Sequence, residues 1–255
     1  MDQLANSDPH SRKRLPPKEV GCCQCGLYGM CQVAGLENID KNKIDSLVQR
    51  RKLIDNGADL IQAGEEFNKI FAVKSGMFKA VTEFEDGRSQ VVDFFLPGEL
   101  IGLDAIHDRV HLYKITALED SSVCELDFYA MLEMENDYGR FQQKLLDALV
   151  AKARQSQFQP LLMGAQSAEQ RLAVFLVGIS SRFHARGLSG EEYRLSMRRM
   201  DIADYLGLAL ETVGRVFKRF EQKGLLACRG RDTQIGDFQG LMEIAGLMGS
   251  TSISQ

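Results

Sequence analysis

The sequence predicts an α+β protein made of an N-terminal β-roll, one long helix and a C-terminal winged helix-turn-helix. Three observations carry this. Between about residues 54 and 130, short β-type runs are broken by glycine-bearing turns. Residues 137–163 then hold an apolar stripe at helical spacing. Residues 198–226 (RRMDIADYLGLALETVGRVFKRFEQKGLL) place a small residue, a glycine and an apolar face where two short helices would meet at a tight turn.

The elements divide the chain into a leader at 1–21, a Cys-rich loop plus β-roll sensor domain at 22–136, a dimerisation helix at 137–163 and a winged helix-turn-helix domain at 164–255. The leader is polar, proline-bearing and aperiodic, and is expected to be flexible. Its basic patch lacks the apolar stretch of a secretory signal. No apolar run reaches the roughly 18 residues that cross a bilayer. The chain is therefore expected to be cytoplasmic, with no membrane partner. In that compartment six cysteines favour metal binding, redox chemistry or burial over a disulfide framework.

Cys22, Cys25 and Cys31 stand in the spacing C-x2-C-x5-C, and Cys124 follows alone. Four thiolates can close a metal or iron–sulfur site. Such a site would tie the leader to the body of a folded domain. Residues 38–53 carry Ile39, Ile44, Leu47 and Val48 at helical spacing, which predicts a helix there. The runs FAVKSGMFKAVTEF, RSQVVDFFLPGELIG and VHLYKITALEDSSVCELDF predict strands, with turns at Asn56-Gly57, Ser75-Gly76, Asp86-Gly87 and Pro97-Gly98. Cys124 falls on the last strand.

In the long helix, Phe141, Leu145, Ala148, Leu149 and Ala153 form the apolar stripe. A helix between two domains has little to bury against unless a second copy supplies the facing surface, so these residues are expected at a homodimer interface. Pro160 should end or kink the helix. A further helix is expected over 168–186, broken by Gly187, Ser189 and Gly190.

Within 198–226, Ile202, Ala203 and Leu206 belong to the first short helix, and Gly207 supplies the turn. Val213, Val216, Phe217 and Phe220 should pack inward from the second helix. Glu211, Gly214, Arg215 and Lys218 repeat on its other side. Glutamate can accept from cytosine N4, and arginine can fork onto guanine O6 and N7. Glu211, Gly214 and Arg215 are thus the base-reading candidates of a helix entering the major groove of double-stranded DNA. Lys218 and Arg219, with Arg199 and Thr212, are the phosphate-contact candidates. LLACRG and RDTQIG resemble the two strands of a wing. Overall charge is −4, yet residues 194–223 hold seven basic side chains against four acidic ones. That asymmetry suits a small nucleic-acid footprint on an otherwise acidic protein.

This order of elements resembles the CRP/FNR superfamily of bacterial transcription regulators, whose β-roll is of the cyclic-nucleotide-binding type. The likeness is greatest to the FNR branch, the oxygen-sensing iron–sulfur regulators. It is carried by C-x2-C-x5-C at 22–31, LPGELIGLDAI at 96–106, LEDSSVCEL at 118–126, AEQRLAVFLVGISSRFHARG at 168–187 and DIADYLGLALETVGRVFKRF at 201–220. The resemblance implies a 4Fe–4S cluster on Cys22, Cys25, Cys31 and Cys124, whose assembly under low oxygen promotes dimerisation and DNA binding. It implies a palindromic operator of the TTGAT…ATCAA type, and contacts to RNA polymerase from surface loops near 83–88 and 116–121.

Three departures stand out. The family's reading helix has E-x-x-S-R, whereas this one has Glu211-Thr-Val-Gly214-Arg215, the form of the cAMP receptor branch, which should shift the outer base preference. Cys23 offers an alternative first thiol to Cys22. Ser156 stands where the family often has a charge that opposes dimerisation. Zinc is the alternative metal for the same four thiolates. A cAMP-like effector is disfavoured because HDRVHLYKITALED holds no Arg-Ser pair for a cyclic phosphate. No phosphate loop, dinucleotide fingerprint or nucleophile–base arrangement marks an enzyme.

Overall fold

The computed structural model describes residues 48–133, 138–156, 164 and 167–247. The cysteine loop with Cys22, Cys25 and Cys31 lies outside the described residues, as does Pro160.

Two antiparallel four-stranded sheets make the β-roll. One runs in the order β1 (Val48–Ile54), β8 (Ser121–Asp127), β3 (Lys69–Ser75) and β6 (Leu100–Ile101). The other runs β2 (Asp59–Ile61), β7 (Lys114–Ala117), β4 (Phe78–Glu83) and β5 (Ser89–Phe95). Side chains alternate across a strand, so β3 feeds two clusters. Phe71 and Val73 join Val123, Ile101, Phe78, Ala80, Phe95 and Ile115 in the core between the sheets. Ile70 and Ala72 point the other way and join Leu100, Leu126, Phe67 and Phe128. The β3–β4 turn needs Gly76, which has φ of 80° and where a Cβ would collide with Ser121.

The helix expected over 38–53 is corrected where it can be seen. Residues Val48–Ile54 form β1, pairing antiparallel with β8 from Val48 opposite Leu126 to Ile54 opposite Ser121. Tertiary pairing overrides the local periodicity. Residues 38–47 lie outside the described residues.

After β8 come α1 (Phe128–Leu132) and α2 (Tyr138–Ser156). The apolar stripe predicted on α2 is divided. Leu145 and Ala148 pack against the outer face of the protein's own first sheet. Leu149 is half-buried and Ala153 exposed. The side chain of Phe141 lies outside the described residues. Leu146 and Val150, one step around the wheel, are 54% and 46% exposed. The displacement arises because one flank of the helix already covers its own β-roll.

The C-terminal unit contains α3 (Ala168–His184), β9 (Glu192–Arg194), α4 (Arg199–Leu206), α5 (Leu210–Gln222), β10 (Leu226–Arg229), β11 (Asp232–Ile235) and α6 (Phe238–Ala245). Ser167 caps α3 by accepting from the Gln170 amide at 3.1 Å. From Leu172 to Ser180 α3 is buried on all sides, as befits a central helix. The two predicted wing strands are β10 and β11, and β9, which the sequence did not signal, pairs with β11. One cluster runs from Val91, Phe94 and Leu96 of the β-roll into α3, α4 and α5. No described helix is long and apolar enough to cross a membrane.

Candidate nucleic-acid interface and thiol site

Arg198 opens α4, where its amide donates to the Asp201 carboxylate at 3.0 Å. Lys79 of β4 donates to the same carboxylate at 2.7 Å. Asp204 accepts the backbone amide of Val91 on the edge strand β5 at 2.8 Å. The first helix of the pair is thus pinned to the β-roll. Its other end is closed by Gly207, at φ of 61° and ψ of 42°, and by Arg171, which donates to the Leu206 carbonyl at 3.1 Å.

The second helix, α5, follows after three residues. Val213, Val216, Phe217 and Phe220 are buried against Ile202, Ala203 and Leu206. Glu211, Gly214, Arg215 and Lys218 are all exposed on the opposite face. Arg215 donates to the Thr212 hydroxyl at 3.3 Å, which leans the guanidinium along the helix surface. Gly214 has nothing within 4 Å of where a Cβ would stand, so packing does not require glycine there. Ala209 precedes α5 and no side chain caps the helix start among the described residues, leaving first-turn amides for an outside acceptor.

The phosphate-contact candidates fall into two groups. Lys218 is exposed and Thr212 half-exposed on α5. Arg219 instead forms an ion pair with Glu169 of α3, joined by Lys223 at 3.6 Å. Arg199 lies under α5, its guanidinium 3.3 Å from the Phe217 ring centroid and 3.4 Å from the Cys228 sulfur. Sequence reasoning missed Glu169, Asp201 and Asp204 as partners, because each joins segments far apart in the chain.

Cys124 is a free, half-buried thiol on β8. It packs at the margin of the same outer cluster that receives Leu145 and Ala148 of α2. Its neighbour Glu125, turned to the other side, is buried and paired with Lys52 at 3.1 Å and Lys69 at 2.9 Å. Among the described residues no group of three or more His, Cys, Asp or Glu side chains is placed to hold a metal, and the other three candidate thiols lie outside them.

Residues 51–138 match the cyclic nucleotide-binding domain family, and residues 170–244 match the Crp-like helix-turn-helix domain. The chain is 36% identical over 229 residues to the transcriptional activator protein FnrA of Stutzerimonas stutzeri, covering 90% of this chain and 94% of that one. The chain belongs to the CRP/FNR family of DNA-binding transcription regulators. A second family member, the fumarate and nitrate reduction regulatory protein of Escherichia coli K12, is 34% identical over 227 residues, spanning 89% of this chain and 91% of that protein. The solved family structure of FixK2 from Bradyrhizobium japonicum superposes with a TM-score of 0.68 at 26% identity, covering 76% of this chain and 96% of that one. These relatives are regulators, not enzymes.

Proposed function

We propose that this regulator is oxygen-responsive, and that Cys22, Cys25, Cys31 and Cys124 hold a 4Fe–4S cluster whose presence favours the DNA-binding dimer. The donor set fits: four thiolates suit an iron–sulfur cluster, and Cys124, the one of the four that lies among the described residues, is a free, half-buried thiol. When bound, such a cluster supplies the reactivity toward oxygen. The chain's own residues supply the response. Cys124 shares an apolar cluster with Leu145 and Ala148, so a change at the thiol repacks the inner flank of α2. That shared cluster is the single observation supporting the coupling. The outer flank of α2, with Leu146, Leu149, Val150 and Ala153, is the surface for a second copy. The bistable element is the monomer–dimer equilibrium.

The dimer would present two copies of α5 to the half-sites of a TTGAT…ATCAA-type palindrome. Glu211 and Arg215 read bases there, Gly214 leaves room on the helix surface, and Thr212 and Lys218 meet phosphates. Arg219 can exchange Glu169 for a phosphate at little cost, because exposed ion pairs contribute about 0–1 kcal/mol. Arg199 supports the helix through Phe217. Transcriptional activation, as the name of the FnrA relative suggests, contacts to RNA polymerase from surface loops and a cytoplasmic location complete the reading.

The test is sedimentation of anaerobically isolated protein before and after exposure to air, with the Cys124→Ala variant alongside. A dimer fraction that falls in air, and is already low in Cys124→Ala, supports the coupling. An identical dimer fraction in all three samples contradicts it.

A further inference from the structure

A short stretch of the β-roll, from Asp93 to Glu99, is gripped from two directions by charged side chains. From α2, Lys152 donates to the Asp93 carboxylate at 2.5 Å, and its ammonium lies 4.6 Å from the Phe95 ring centroid. From α3, Arg182 forks onto Glu99, with Nε donating to Oε1 at 2.9 Å and Nη2 to Oε2 at 2.6 Å. The same Nη2 donates to the Phe94 carbonyl. Glu99 also accepts the Leu96 amide at 2.9 Å. Between the two grips, Phe94 meets Phe175 of α3 and Tyr205 of α4 at centroid distances of 6.1 and 5.2 Å.

The two ion pairs sense each other. Lys152 helps hold the Glu99 carboxylate charged, and Asp93 adds to the field on Arg182. The side chains of Glu99 and Arg182 are only 4% and 15% exposed. Burial of an ion pair at this depth is weak support for stability, since apolar residues of similar volume often do as well. What a forked arginine–carboxylate pair adds is direction, because it tolerates one relative orientation of the segments it joins.

We infer that Arg182 and Glu99 are positioning residues: with Lys152 and Asp93 they fix the angle between the helix that carries the dimer contact and the unit that carries α5. In a dimer that angle sets the distance between the two reading helices. It therefore sets which half-site spacing the protein accepts. None of the four side chains lies on the reading face, so they act on DNA only through geometry. This inference rests on the dimeric DNA-binding reading above and adds residues to it.

The experiment uses the full chain, isolated anaerobically, and palindromic DNA with the half-sites at the parent spacing, one base pair closer and one base pair further. The double variant Glu99→Met/Arg182→Met removes the fork while keeping the volume filled. It is expected to keep its dimer fraction and its affinity for a single half-site. On the palindrome of parent spacing it should lose about tenfold, with the preference over the altered spacings flattened. Lys152→Met, which leaves the buried fork intact, should give the same pattern more weakly, and it carries the test if the double variant fails to fold. Unchanged spacing preference in the folded double variant, or in Lys152→Met alone where the double does not fold, overturns the inference, as does an equal loss on every DNA. If the parent protein itself shows no preference for the palindrome over scrambled DNA, the underlying functional reading fails instead.

Discussion

Replacing Gly214 by alanine should make this protein more stable. The residue sits in the interior of α5, which runs from Leu210 to Gln222. It is exposed, and a Cβ built on it meets nothing within 4 Å. The substitution therefore adds no clash and removes no contact. What remains is backbone entropy: glycine is about 1 kcal/mol less favourable than alanine within a helix. In a protein of this size that corresponds to a rise of about 2–4 °C in the thermal midpoint. Circular dichroism melts of the two proteins, under identical anaerobic conditions, measure the difference. A midpoint that falls, or fails to rise, would refute the reasoning, because it would mean that the glycine answers a packing demand absent from the structure. Serine at the same place should stabilise by roughly half as much. It also puts a hydroxyl between Glu211 and Lys218 on the reading face. Selection from a randomised operator pool should then show altered preference at the outer positions of each half-site.

Other consequences follow from the same geometry. Phe220→Ala empties a fully buried position in the helix-turn-helix and should cost about 3–5 kcal/mol in denaturant unfolding. Arg215→Ala should weaken operator binding by about 1–3 kcal/mol and relax specificity at one base position per half-site, measured with single-substitution operators, whereas a uniform loss would mark a phosphate contact. Acid should loosen the protein through Glu99 and Asp201. Burial pushes both carboxyls up, but Arg182, Lys152 and the Leu96 amide together outweigh it at Glu99, and Lys79 with Arg198 outweighs it at Asp201, leaving both below their ordinary values of 4.5 and 3.8. A lowered folded value means that the stabilisation is full above the unfolded value and is lost as pH falls through the folded one. Stability from these groups should stay level from neutrality to about pH 5 and decline below it, and Glu99→Gln should flatten that decline in melts across the range.

How much could be read from the residues depended on how far apart the interacting parts lie. The helix-turn-helix was legible because Ala203, Gly207, Val213, Val216, Phe217 and Phe220 state its packing within one short window. The wing strands were legible for the same reason. Residues 48–53 misled because the helical spacing of 38–53 is local, whereas β8, which makes them part of a strand, lies about seventy residues away. Arg219 read as a phosphate ligand because its partner, Glu169, comes 50 positions earlier. The Lys79–Asp201 link spans 122 positions, and no local pattern signals it. On α2 the helical period was legible, but only the fold reveals that Leu145 and Ala148 of its stripe are covered by the protein's own β-roll, whereas Ala153 stays exposed. Cys124 was placed on its strand by the β-type texture around it, while its nearness to those two helix residues emerged only from the packing.

The proposed oxygen-labile iron–sulfur cluster on four thiolates, one of them Cys124, is tested by the composition and visible absorption of protein isolated without air, compared with Cys124→Ala. A brown protein with equal amounts of iron and acid-labile sulfide, bleaching in air, and a colourless Cys124→Ala variant are expected. A colourless parent protein carrying stoichiometric zinc would contradict the proposal.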